Sequence, residues 1–138
     1  MDLASLAEAL KPFVLRWVRP RVSWYAATNA RGSVLSAGDV VVVGTGADST
    51  VTVSTTSADR TVAGVVVIGG ENGETVYVAT AGVVDVKVLV AVTRGQFLQQ
   101  SGVAGKALGM IAFGAGAFGI AVETGSTMVK ALIGVPAR

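Results

Sequence analysis

Valine-rich segments separated by glycine fill the run from Arg31 to Val135, and their order occurs twice. The first series is Gly38-Asp39-Val40-Val41-Val42-Val43, Ala63-Gly64-Val65-Val66-Val67 and Gly73-Glu74-Thr75-Val76-Tyr77-Val78. The second is Gly95-Gln96-Phe97-Leu98, Phe118-Gly119-Ile120-Ala121-Val122 and Gly125-Ser126-Thr127-Met128-Val129. Matching glycines lie 57, 55 and 52 positions apart, the drift that shortened loops in a duplicated β unit produce. Valine is stiff at χ1 and packs well on a pleated surface. Glycine at this density marks turns and bulges. The expected fold is therefore all-β: a compact sandwich or barrel of short strands with internal pseudo-duplication, preceded by a short N-terminal helix or arm.

Charge sharpens this picture. Only 14% of the 138 residues are charged, against about 25% in a typical domain. A surface this poor in charge is expected to meet another subunit. Residues 1–31 hold five basic and two acidic residues, and the remainder six basic and seven acidic, so a basic arm precedes a near-neutral body. We divide the chain accordingly: 1–31 as a helix and basic aromatic arm for docking or oligomerisation, and 32–138 as the β domain. The overall balance of +2 gives no case for nucleic acid as a partner.

Histidine and cysteine are both absent. That removes the commonest general base, the thiolate nucleophile and the usual metal ligands. No Ser/His/Asp set can form. The chain is not expected to be an enzyme, nor to carry a cofactor or metal.

Leu3, Leu6, Ala7, Leu10, Val14 and Trp17 recur at helical spacing, with Asp2 as a plausible N-cap. Pro12 shortens or kinks that helix, and Pro20 stops it. The next stretch interleaves Arg16, Arg19 and Arg21 with Trp17, Trp24 and Tyr25. Those six residues are the candidate interface, because Trp, Tyr and Arg anchor protein contacts. Two other readings stay open: an extended strand packing its aromatics on its own domain, and single-stranded nucleic acid held by stacking and charge. Asp2 and Glu8 sit inside the apolar start, so a secretory signal is not expected.

In the body, strands are expected at Val34-Leu35, Val40–Val43, Val51–Thr56, Val62–Ile68, Thr75–Ala79, Val83–Val92, Phe97-Leu98, Leu108–Phe113, Phe118–Val122 and Thr127–Val135. Val62–Ile68 is nearly all apolar and should be buried on both faces. Asp85 and Lys87 should share one face. Gly114-Ala115-Gly116-Ala117-Phe118-Gly119 has the spacing of a dinucleotide loop, but a strand and not a helix follows it. It reads as a turn, as does Gly44–Ser49. Glu71 and Glu74 flank one hairpin and read as a solvated turn. Residues 107–122 are uncharged yet too short and too glycine-broken for a bilayer helix, so no membrane partner is expected. Tyr77, Phe97, Phe113 and Phe118 read as internal, which disfavours a carbohydrate- or ligand-binding module.

From Val34 onward the order of glycine signatures resembles the small β-rich capsid decoration (cement) proteins of tailed bacteriophages. The residues that carry it are Ser36-Ala37-Gly38-Asp39-Val40-Val41, Val62-Ala63-Gly64-Val65-Val66, Gly73-Glu74-Thr75-Val76-Tyr77-Val78, Ala81-Gly82-Val83-Val84, Gly95-Gln96-Phe97-Leu98, Gly105-Lys106-Ala107, Phe118-Gly119-Ile120-Ala121, and Gly125 with its closing strand. The resemblance implies a trimer on the capsid surface that bridges neighbouring major capsid proteins and resists internal DNA pressure. It also implies a virion protein made in the host cytoplasm, with no catalytic residues to transfer. The helical, Arg/Trp-rich start departs from the family pattern. It would also suit a trimeric head, neck or tail fibre.

Overall fold

Stiff β-branched side chains hold the pleated backbone along most of the chain. The computed structural model describes residues 22–134, and among these there is no helix. The strands are β1 (Ser23–Asn29), β2 (Val40–Val43), β3 (Thr50–Thr52), β4 (Val62–Ile68), β5 (Thr75–Lys87), β6 (Phe97–Gln100), β7 (Ala107–Met110), β8 (Gly119–Ala121) and β9 (Met128–Gly134). The expected helix near residues 2–18, and Arg16, Trp17, Arg19 and Arg21 with it, lie outside the described residues.

All nine strands belong to one hydrogen-bonded sheet, and that sheet closes on itself twice. In the first ring β1 pairs β3, β3 pairs β2, β2 pairs β4, β4 pairs β5, and β5 returns to β1. In the second, the far half of β5 pairs β9, followed by β8, β6 and β7. A parallel bridge between Val88 and Ala107 brings β7 back to the end of β5. Closure pairs the backbone groups that a sheet edge would leave open. The long strand β5 is the wall the two rings share.

The rings have the same topology. Each has a single parallel contact, β1 with β3 in the first and Val88 with Ala107 in the second. Each starts with the same turn: Gly38 and Gly95 take φ of 95° and 91°, a region glycine enters without strain. Asp39 N–H donates to Ser36 O, and Gln96 N–H to Thr93 O, both at 3.1 Å. Val41 faces Gly64 across one ladder, and Leu98 faces Gly119 across the other. The duplication read from the glycines is therefore present in the pairing. One equivalence needs correction: Gly125 matches Gly70, not Gly73. Leu35 and Gly70 exchange a pair of backbone hydrogen bonds, and so do Val92 and Gly125. The turn into β9 is two residues shorter than the turn into β5, which moved the apparent match.

Other boundaries also differ from expectation. The sheet begins at Ser23, so Ser23–Asn29 belongs to the first ring although the sequence division put it in the arm. Val34-Leu35 makes only an isolated bridge, Leu35 with Gly70. Thr75–Ala79 and the start of Val83–Val92 are one continuous strand, because β5 must pass from one ring into the other.

Ala27, Leu35, Val41, Val51, Ala63, Val66, Val76 and Val78 form the interior of the first ring. Each has a counterpart in the larger core of the second: Val86, Val92, Leu98, Ala107, Phe118, Ala121, Val129 and Ala131. Ala107, Ala121 and Ala131 each stand where the first ring has valine, and Phe118 stands where it has Ala63. The bulk of Phe118 offsets the volume lost at the three alanines, as a close-packed interior requires. The larger core also takes in Val40, Val42, Val62, Val65 and Ala79 from the outside of the first ring. These residues make the joint. Val62 to Val66 is buried on both sides because β4 lies between the first interior and that joint.

Candidate interaction surface

Successive residues of a strand point to opposite faces, and β1 separates two of the expected interface residues in this way. Trp24 points outward and is 57% exposed, its ring edge-on to Tyr77 at 5.1 Å. Tyr25 is half-buried and packs against the interior of the first ring. Burial there pushes the Tyr25 phenol above its ordinary value of 10.0. Of the candidate residues that are described, Trp24 is exposed and Tyr25 is half-buried against the core. The self-packing reading of this stretch thus holds for Tyr25.

The ionic groups serve the joint and the turns. Asp39 is nearly buried; its Oδ1 accepts from Lys87 Nζ at 2.8 Å and its Oδ2 from Ser36 N–H at 2.8 Å. Arg31 lies 3.7 Å away on the open side, and Lys87 Nζ also donates to Ser36 Oγ at 2.6 Å. On the outside of the second ring Lys130 Nζ lies 3.0 Å from Asp85 Oδ1, and that contact raises the Lys130 pKa. Asp85 and Lys87 do share a face, each with its own partner. Glu71 and Glu74 make a closed turn, with Glu71 N–H donating to Glu74 Oε1 at 2.7 Å. Among the described residues, no cluster of His, Cys, Asp or Glu is placed to hold a metal ion, and no helix is long and apolar enough to cross a membrane.

Glycine-rich loops take the role expected of them. Gly114–Ala117 is a turn closed by Ala117 N–H to Gly114 O at 3.1 Å, and β8 follows it. No helix N-terminus stands there to receive a phosphate. Gly44 N–H bonds Thr50 O at 2.8 Å, closing the β2–β3 loop.

What the sequence reading missed is apolar surface on the second ring. Phe113 is 64% exposed, not internal, and sits edge-on to Phe97 at 5.5 Å. Ile111, Ile120 and Leu132 are exposed too. A signal was present: Met128 to Gly134 is apolar on both faces except at Lys130, although only one face can line a ring. Phe118 is internal as expected, while Tyr77 and Phe97 are half-buried.

The arrangement of rings is known elsewhere. The crystal structure of the N base of head fibre gp8.5 in bacteriophage phi29 superposes with a TM-score of 0.60 at 19% identity. The likeness is one of fold. It covers 82% of this chain and 94% of that one. No family model and no curated protein matches the sequence.

Proposed function

We propose that this chain is a structural protein of a phage virion, working through protein contacts at the head surface and not by catalysis. The observation that carries the reading is the fold shared with the phi29 head-fibre base over 94% of that chain. The low charge and the exposed apolar residues agree with it. In this reading the chain decorates the capsid as a homotrimer and bridges neighbouring major capsid proteins. Apolar and aromatic surface buried across subunit joints stabilises the assembled shell by mass action. Trp24 and the arginine-rich segment before it, with Arg16, Trp17, Arg19 and Arg21, dock on a neighbour.

The same likeness favours a second reading, in which the chain is the base of a head fibre or another fibre component. Cryo-EM of the particle separates the two. Density confined to three-fold positions on the shell marks a decoration protein, and a column projecting from the head marks a fibre. Docking is tested by mixing the purified chain with undecorated capsids, with and without residues 1–21. The deletion stops there because Ser23 opens β1. Failure of the full chain to co-sediment with capsids overturns the head-surface role, and undiminished binding of the shortened chain overturns the role of the arm.

A further inference from the structure

The outer face of the second ring carries one apolar residue from each strand, in register: Met110, Phe97, Ile120, Leu132 and Val83. Four of them are between 37% and 51% exposed, and Phe97 is half-buried with Phe113 edge-on to it. The first ring has the same row. Its positions corresponding to Phe97, Ile120 and Leu132 are Val40, Val65 and Ala79, paired in the same order. Those three are 0% exposed, because the second ring of the same chain covers them. One row is thus covered within the chain, and its repeat, built of larger apolar side chains, is open.

We propose that the open row is a self-association surface, covered by the body of a second copy of this chain. The joint between the rings shows what such a row accepts: a ring of this fold. Charge does not oppose it, since the neighbouring Lys130 and Asp85 neutralise each other at 3.0 Å. The contact is heterologous. Within the chain the first row meets the second ring beside Gly105 and Lys87, where Val40 N–H donates to Gly105 O and Lys87 N–H to Gly38 O. Row does not meet row. Repetition of a heterologous contact closes into a ring of copies or extends as a filament. The slot that Gly38–Val40 enters is already joined in the first ring by Thr28 N–H to Ser49 O at 2.8 Å, so the contact between copies lies on the surface without that wedge.

The chain has no cysteine, so single-cysteine variants read the surface directly. The full-length Ile120→Cys and Leu132→Cys variants are labelled with a maleimide across a range of protein concentrations. The Ala47→Cys variant, on an exposed loop of the first ring, is the reference. Labelling at Ile120→Cys and Leu132→Cys is expected to slow about tenfold over a roughly hundredfold rise in concentration, with Ala47→Cys unchanged. Two variants on adjacent strands guard against a folding defect in either. Fast labelling at every concentration overturns the proposal; slow labelling at every concentration is read with the sedimentation of the same sample, where an oligomer upholds the proposal and a monomer, its face covered by the chain's own segment, overturns it. The capsid co-sedimentation above reads the virion role separately, so the two can fail independently.

Discussion

The Lys87 ammonium lies 2.8 Å from the Asp39 carboxylate, and this pair ties the turn before β2 in the first ring to the end of β5 in the second. Gln96 stands at the matching position of the second turn and caps it in the same way, accepting from Thr93 N–H at 2.8 Å. The cap is thus common to both turns, and the charge is particular to the joint. Asp39→Asn should keep the cap but leave the Lys87 ammonium unpaired, costing on the order of 1–3 kcal/mol. A double-mutant cycle with Lys87→Met, read by chemical denaturation, should give a coupling above about 0.5 kcal/mol. A coupling of zero would show that the joint is held by its apolar contacts and backbone hydrogen bonds without help from the ion pair.

Gln100 holds two loops together with one amide, the one between β3 and β4 and the one between β6 and β7. It is fully buried, and its Nε2 donates to Ser54 O and Ser101 O at 2.9 Å and to Val103 O at 3.1 Å. Gln100→Leu leaves those carbonyls short of a donor, for about 1–3 kcal/mol. Gln100→Glu places a carboxylate against the same oxygens and should cost more, on the order of 3–5 kcal/mol. Thermal unfolding at neutral pH ranks them. Finding the Glu variant as stable as the Leu variant would contradict this account of the cluster.

Gly64 and Gly119 let one strand cross close over the next. A Cβ on Gly119 would sit 2.8 Å from Leu132 O, and one on Gly64 would run into Ala79 O, its counterpart. Gly64 also has a φ of 152°, in a region that side chains avoid. Gly119→Ala should therefore cost about 1–3 kcal/mol by overpacking. Gly64→Ala should cost more, because backbone strain of about 1–3 kcal/mol adds to the same clash. Gly114 has open space around it, and Gly114→Ala is the near-neutral control. Equal denaturation midpoints for all three would remove close crossing as the reason for these glycines.

Periodicity and glycine spacing carry much of this fold because each reports a local cause. Val40–Val43 and Val62–Ile68 match their strands to the residue, since β-branched runs between turns have few alternatives. The duplication was visible because Gly38 and Gly95 need the same left-handed turn and Gly64 and Gly119 the same close crossing. The joint was not visible. Nothing local distinguishes Val65, covered by the other ring, from Ile120, which is open. That difference depends on how the rings stack, a long-range property that no window of residues holds. β1 was hidden for a related reason: Trp24 and Tyr25 match the composition of a docking arm, and only pairing with β5 shows that they alternate between faces.

Trp24 and Tyr25 give the last prediction, since neighbours in sequence should fail in different ways. Trp24→Ala removes an exposed ring whose recorded ring contact is with Tyr77, so stability should fall by less than about 1 kcal/mol. Its loss should show instead as weaker co-sedimentation with capsids. Tyr25 should show in stability and in pH. Its folded pKa is raised above the ordinary 10.0, so the folded state favours the neutral phenol. That contribution is fully present below pH 10.0 and is lost as pH rises through the folded value. Lys130, also raised, loses stability in the same alkaline direction, so the reading is the difference between wild type and Tyr25→Phe, which shares the Lys130 contribution. Stability should fall more steeply with alkali in the wild type than in Tyr25→Phe. Parallel curves through this range would mean that the Tyr25 hydroxyl reaches water in the folded protein.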